Sequence, residues 1–129
     1  MKKLAAGLVL AMLLVGCGKT EAVPPRVVIG VEVVYQQHGE LLQRSYFREE
    51  SMRMLLLYLR MLDPRGPMIP EQEDDISCQF ILRYSDGTES VFLQQGITYL
   101  QKNGGAWEKI DAEQAQLLYP LLLLLPSDL

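Results

Sequence analysis

The feature that most restricts the fold is a series of alternating segments and turn residues between positions 76 and 110. Apolar and polar residues alternate over 76–84, which is typical of a strand with one covered face. Asp86-Gly87 follows, and such a pair indicates a two-residue hairpin because glycine tolerates the positive φ that the turn requires. The sequence therefore predicts four short antiparallel strands, at 76–84, 89–94, 97–102 and 106–110, with the later breaks at 95–96 and 103–105.

Two further strands and a helix are predicted before this meander. Residues 27–35 alternate, and after a turn at 37–40 the segment 41–47 is predicted to return as a hairpin. Residues 48–63 are helix formers with apolar residues at helical spacing, and Pro64 ends the helix. In the first strand the alternation predicts two faces. One face contains Val27, Ile29, Val31, Val33 and Tyr35, and the other contains Val28, Gly30, Glu32, Val34 and Gln36.

The predicted helix at 48–63 has a wide apolar stripe. Met54, Leu57, Tyr58 and Met61 widen the stripe beyond the usual core spacing. Two interpretations follow, since such residues either lie in a covered core or form a docking surface whose soft methionine side chains repack easily. We favour the core, so most of this helix is expected to be covered.

A second helix is predicted near the C-terminus. Asp111 lies three residues before Gln114, a spacing similar to a capping box, and an apolar stripe follows. Pro120 is expected to kink or end this helix near Tyr119, because proline removes a hydrogen bond and clashes with the preceding turn. We interpret Leu121 to Leu125 as a buried terminal segment, and the alternative is a patch that contacts a partner or the membrane.

These elements predict an α+β fold. The order is two strands, a helix, four strands and a helix, which an antiparallel sheet with both helices on one face accommodates. Each element then buries its apolar side in a single domain over residues 26–129.

The first residues have a different composition. Lys2 and Lys3 precede an apolar stretch of 12 residues at 4–15. This stretch is too short for a spanning helix, which needs about 20 residues, but it has the length of a secretory signal core. It ends in Leu14-Val15-Gly16-Cys17, and the whole segment resembles the signal peptide and lipobox of bacterial lipoproteins.

The resemblance implies a particular maturation. Residues 1–16 would form a signal helix that type II signal peptidase removes between Gly16 and Cys17. Cys17 would carry a diacylglyceryl group on its sulfur, and two acyl chains suffice for stable membrane attachment. Residues 17–25 would then be the lipidated cysteine and a short tether, holding the domain on the extracytoplasmic face of the cell membrane.

The net charge of the chain favours attachment through a lipid over electrostatic attachment to the membrane. The chain has 12 basic and 16 acidic residues. Cleavage after Gly16 removes two of the basic residues and none of the acidic ones, so the formal charge changes from −4 to −6. Anionic headgroups would repel such a surface, and nucleic acid is not an expected partner because it requires a clustered basic face.

No catalytic or metal-binding pattern is present in the sequence. His38 is the only histidine, and Cys78 is the only thiol left once Cys17 is acylated. The acidic segment 64–75 has neither the alternating ligands nor the glycine of a calcium loop. We therefore predict no enzyme activity, no metal and no cofactor, and we interpret Cys78 as a core residue, His38 as a turn residue and 64–75 as a solvated loop.

The sequence predicts a non-catalytic binding or accessory module of the cell envelope, with an unknown envelope protein or ligand as its partner. The module would present the outer face of the sheet or an edge strand to that partner. A small hydrolase that uses Asp or Glu is one alternative. An inhibitor of a secreted enzyme is another, in which a hairpin tip would enter an active site. The candidate contact residues lie in two predicted turns and are Asp86, Gly87, Asn103 and Gly104.

Overall fold

The structure is a computed structural model that describes residues 26–70 and 75–128. The predicted signal peptide, Cys17 and the tether lie outside the described residues, as does the segment 71–74 of the acidic loop. The strands are β1 (Val28–Gln37), β2 (Glu40–Tyr46), β3 (Ile76–Tyr84), β4 (Glu89–Gln95), β5 (Tyr99–Lys102) and β6 (Trp107–Lys109), and the helices are α1 (Glu49–Met61), α2 (Ala112–Ala115) and α3 (Leu118–Leu124).

The six strands form one sheet in the order β2-β1-β3-β4-β5-β6. Every neighbouring pair is antiparallel. Helix α1 connects β2 to β3 and so brings β3 alongside β1, on the side away from β2. The predicted α+β class and all six predicted strands are therefore confirmed.

The core lies on one face of this sheet. Val33 and Phe80 are register partners on β1 and β3, and both are fully buried. The Tyr58 ring of α1 lies 6.1 Å from the Phe80 ring, and the Tyr46 hydroxyl donates a 2.6 Å hydrogen bond to the Leu125 carbonyl. Both helical regions thus contact the same sheet face, and the buried residues that they contribute include Leu55, Leu59, Leu62, Leu118 and Leu122.

The start of β1 differs from the prediction. A bulge lies between Val28 and Gly30, so that Val28 pairs with Tyr84 and Gly30 pairs with Arg83. The extra residue reverses the alternation, and Val28 packs against the core while Ile29 and Val27 are more than half exposed. The prediction that Val27 and Ile29 share the covered face of Val31 is therefore wrong.

Helix α1 is less covered than predicted. Met54, Leu57 and Met61 are about half exposed, whereas Tyr58 is buried. The sheet lies on only one side of the helix, and α2 and α3 lie beside it rather than over it. The expectation that most of this helix is covered is thus wrong for its outer side.

The C-terminal helix is divided into two short helices. Asp111 accepts hydrogen bonds from the Glu113 and Gln114 amides at 2.9 and 3.3 Å, so its predicted capping role is confirmed. The Asp111 amide donates to the Leu62 carbonyl at 2.9 Å, so Gln114 does not complete a capping box. The break between the two helices lies before Leu118 rather than near Tyr119. Pro120 does not end a helix, because it lies in the first turn of α3, where a backbone amide has no hydrogen-bond partner within the helix. The leucine run is not buried as a whole, since Leu122 and Leu125 are buried but Leu123 and Leu124 are 60% and 74% exposed.

Other segments pair with both edges of the sheet. The Arg65 amide donates to the Lys109 carbonyl at 2.8 Å, and the Lys109 amide donates back at 2.7 Å. At the opposite edge the Asp128 amide donates to the Ser45 carbonyl at 2.8 Å. These contacts cover parts of β6 and β2 that would otherwise offer unpaired backbone groups.

Replacing Gly66 with alanine tests the close packing at the β6 edge. A Cβ atom there would lie 2.6 Å from the Glu108 Cγ and 3.0 Å from its Cα. We expect the free energy of unfolding to fall by about 1–3 kcal/mol, as for other overpacked sites. Urea unfolding measures this change. Gly30→Ala is the control, because its new Cβ would be 3.8 Å from the nearest atom, and an equal loss in both variants would contradict the close-packing argument.

Candidate functional site

The sheet face opposite the helices is the main candidate. Side chains alternate along each strand, so burial of Val33 and Phe80 directs Val34 and Gln79 to the other face. We call this surface the open face, because the helix contacts described above all lie on the opposite side of the sheet. Register partners across the six strands form its central row, Gln43, Val34, Gln79, Leu93, Gln101 and Trp107.

Amide side chains are frequent on the open face. Gln95 is the register partner of Tyr99, in the row next to Gln101 and Trp107. The Gln101 amide donates a 3.0 Å hydrogen bond to the Gly105 carbonyl, which fixes its direction. Within the described part of the chain, the amides of Gln79 and Gln95 have no side-chain partner. Their donors and acceptors are therefore available to a ligand.

Trp107 borders a cavity at the end of the central row. The cavity has a volume of about 620 Å³ and lies where the segment after α1 pairs with β6. The Met68 amide donates to the Trp107 carbonyl at 2.8 Å and so holds this segment against the strand. The cavity is lined by Pro67, Met68, Ile69, Pro70, Ala106 and Trp107.

The ionic residues of the open face lie mostly at one end. The Arg83 guanidinium donates to the Glu32 and Glu89 carboxylates at 2.9 Å each. Arg83 and Glu89 lie where β3 ends and β4 begins, and Glu32 lies beside them on β1. Lys109 lies at the opposite end, beside Tyr99. The central row between them contains no charged side chain.

The two predicted contact tips lie at the same end of the sheet. Asp86 accepts hydrogen bonds from the amide and the hydroxyl of Thr88, and these bonds lower the pKa of its carboxyl. Asn103 has a φ of 53° and accepts a 2.7 Å bond from the Val91 amide. Gly87 and Gly104 also have positive φ, as their turns require. The turns therefore fix the positions of all four residues, and none of the four belongs to the central row.

The described chain begins beside one of these tips. The Arg26 guanidinium donates to the Thr88 hydroxyl at 3.2 Å and lies 4.0 Å above the Tyr84 ring. The Val27 amide donates to the Ser85 hydroxyl at 3.1 Å. Residue 26 is thus fixed at the end of the sheet where β3 turns into β4.

The reactive side chains of the described part are separated. The His38 imidazole lies 3.6 Å from the Asp75 carboxylate, and both side chains are exposed. Cys78 is buried, and burial raises the pKa of its thiol. Within residues 26–70 and 75–128, no three His, Cys, Asp or Glu side chains are grouped so that they could hold a metal ion.

One cavity contains two carboxylates. It has a volume of about 290 Å³ and is bordered by Asp63 and Asp111, with Arg65 and Lys109 beside them. Asp63 accepts two hydrogen bonds from the Arg65 guanidinium, at 2.8 and 3.1 Å, and Asp111 caps α2. Each carboxylate therefore has a structural role in the fold.

A second apolar surface lies on the helical side. The exposed residues Met54, Leu57 and Met61 of α1 face Leu117 and Leu121 across a groove of about 250 Å³. Exposed apolar patches of this kind often mark contacts with other proteins or with membranes. The core interpretation of the methionine-rich helix therefore does not hold for its outer side.

The sequence indicates the outer face of the sheet or an edge strand as the surface for a partner, but it does not indicate which residues meet there. The candidate residues Asp86 and Asn103 lie in turns, whereas Gln79, Gln101 and Trp107 come together only through strand pairing. The alternation of apolar and polar residues was the sequence signal for this face, because the polar positions of each strand lie on the side opposite the core.

Comparisons with protein-family models, with curated proteins and with solved structures give no significant match for this chain. Among the residues that the structure describes, no helix has both the length and the apolar character needed to cross a membrane.

Proposed function

We propose that this protein is a lipid-anchored, non-catalytic binding module of the cell envelope, and that it binds its partner with the open face. The observation that carries the proposal is the central row, in which the amides of Gln79 and Gln101 lead to Trp107 and its cavity, and in which Gln79 has no side-chain partner in the described chain. Half-buried aromatic and amide side chains on a rigid sheet are well suited to binding, because their positions are fixed before the partner arrives.

The proposed anchor agrees with the position of residue 26. The tether 18–25 would span at most about 26 Å when extended, at about 3.3 Å per residue. The end of the sheet that contains Asp86 would therefore be nearest the bilayer. The strands would rise from the membrane, and the open face would be accessible from the side.

The same arrangement argues against the inhibitor alternative. A tip that inserts into a secreted enzyme should point away from the membrane, whereas Asp86 is hydrogen-bonded through Thr88 to Arg26. The hydrolase alternative has no specific support either, since the Asp63 carboxylate is bound by Arg65 and the Asp111 carboxylate caps α2. A binding module remains the function that the described geometry supports best.

Metabolic labelling with a clickable fatty acid tests the anchor. We expect the wild-type chain to be labelled and membrane-bound, and Cys17→Ala to lose the label and to leave the membrane fraction. Cys78→Ala is a matched control, because it removes the buried thiol and should retain the label. Labelling that persists in Cys17→Ala would contradict the lipoprotein proposal.

Crosslinking in cells tests the open face. A photo-reactive amino acid at position 79 is expected to give reproducible crosslinked products in the envelope. The same amino acid at Gln116, an exposed position at the end of α2, should give none of them. Identical products from both positions would argue against binding through the open face.

A further inference from the structure

We propose that the ligand of the open face is an uncharged polysaccharide chain, which lies along the central row from Trp107 to Gln79. This inference rests on the proposed function, because it requires the open face to be the binding surface. It adds the chemical class of the ligand and names the side chains that recognise it.

The amides match the hydrogen-bonding pattern of a polyol. Each sugar hydroxyl can both donate and accept a hydrogen bond, and each glutamine amide offers two donors and one acceptor. Gln101 is held by Gly105, while Gln79 and Gln95 are without side-chain partners in the described chain. Neutral amides also bind neutral hydroxyls without the desolvation cost of a charged group.

The aromatic residues Trp107 and Tyr99 provide apolar contacts for the sugar rings. Trp107 is the register partner of Gln101, and Tyr99 precedes Gln101 by two residues on the same face. Sugar rings carry C–H groups that pack against aromatic rings, and aromatic side chains combine a large contact area with a polar group. The cavity beside Trp107 gives space for a terminal sugar or a branch.

The dimensions favour a chain over a single sugar. Trp107, Gln101, Leu93 and Gln79 lie on four consecutive strands. At about 4.8 Å per strand spacing, this part of the row extends for about 14 Å. A row of this length contacts several linked sugar rings, with an apolar residue between the two amides.

The charge of the protein and the pairing of its sheet edges argue against two other ligand classes, anionic polymers and peptides. The mature chain would have a formal charge of −6, and Arg83 is already paired with Glu32 and Glu89, so an anionic polymer finds no cationic face. A peptide that adds a strand requires a free sheet edge. The edges are partly occupied by Arg65 and by Asp128. An uncharged ligand that binds across the strands fits the surface better.

Trp107 is the only tryptophan and therefore reports directly on the site. The full lipidated chain is extracted in a detergent without a sugar headgroup and titrated with cellohexaose, maltohexaose and hexa-N-acetylchitohexaose. We expect a saturable change in tryptophan emission with at least one of these neutral oligosaccharides. An oligogalacturonate of equal length should give none, because its carboxylates would be repelled.

Two substitutions test the assigned contacts. Gln101→Ala and Tyr99→Ala should each weaken binding of the same oligosaccharide by about tenfold. Gln116→Ala is the matched control and should bind as the wild type does. Circular dichroism of each variant verifies that the sheet is intact, and Gln101→Ala provides the test if Tyr99→Ala does not fold.

The outcomes separate this inference from the proposed function. An absence of saturable binding by all three neutral oligosaccharides, or equal binding by Gln101→Ala and wild type, overturns the polysaccharide assignment. A protein captured by crosslinking from position 79 would then leave the binding module in place with another ligand. If position 79 captures nothing and no oligosaccharide binds, both proposals fail.

Discussion

Replacement of Phe80 with alanine is expected to lower the free energy of unfolding by about 3–5 kcal/mol, the range for large core truncations. Phe80 is fully buried in β3 and contacts the Tyr58 ring of α1, so its removal leaves a cavity between the sheet and the helix. Neighbouring strands on both sides limit how far the sheet can collapse into that space. Equilibrium unfolding in urea measures the loss.

Leu123→Ala is the control for this experiment. Leu123 is 60% exposed on α3, and truncation there should change the free energy of unfolding by less than about 0.5 kcal/mol. A loss below about 1 kcal/mol in Phe80→Ala would contradict the central position of β3 in the core. The comparison therefore tests the arrangement of the layers as well as a single contact.

Most strands could be predicted from the sequence because their signals are local. The alternation over 76–84 and the turn at Asp86-Gly87 depend on neighbouring residues, and β3 ends where predicted. The cap at Asp111 is local in the same sense, since its carboxylate and the amides that it accepts from lie within three residues. Such features do not require knowledge of the partner elements.

The features that were missed depend on tertiary packing. The bulge after Val28 arises from pairing with Tyr84 and Arg83, about 55 residues later in the chain. The exposed side of α1 depends on which elements cover the helix, and composition alone does not determine that. The outer face of the sheet was predicted as a possible binding surface, but its central row was not, because Gln79 and Trp107 belong to one row only when the strand order is known.

The protein is expected to lose stability steeply at alkaline pH. Burial raises the pKa of the Cys78 thiol and of the Tyr58 hydroxyl, and also that of Tyr35 and Tyr46. For Tyr58 burial is the largest cause, and its hydroxyl also donates a 2.7 Å hydrogen bond to the Gln94 Oε1. Ionisation of these groups therefore accompanies unfolding.

The direction of the effect follows from proton binding. Below the unfolded pKa values, 9.0 for cysteine and 10.0 for tyrosine, both states hold these protons and the groups contribute no pH dependence. Above them the unfolded chain releases protons that the folded chain retains, so the free energy of unfolding decreases as pH rises. Cys78 and Tyr58, whose pKa values are raised furthest, each contribute about 1.4 kcal/mol per pH unit while only the unfolded chain has lost the proton.

Urea unfolding at pH 7, 9, 10 and 11 would measure the predicted alkaline loss. Cys78→Ala should have a flatter profile between about pH 9 and pH 10, where the unfolded thiol titrates first. Tyr58→Phe should flatten the profile above about pH 10, although it is less stable at neutral pH because Gln94 loses its donor. A wild-type free energy of unfolding that remains constant up to pH 11 would show that these groups are not protected, and it would contradict their burial between the sheet and the helices.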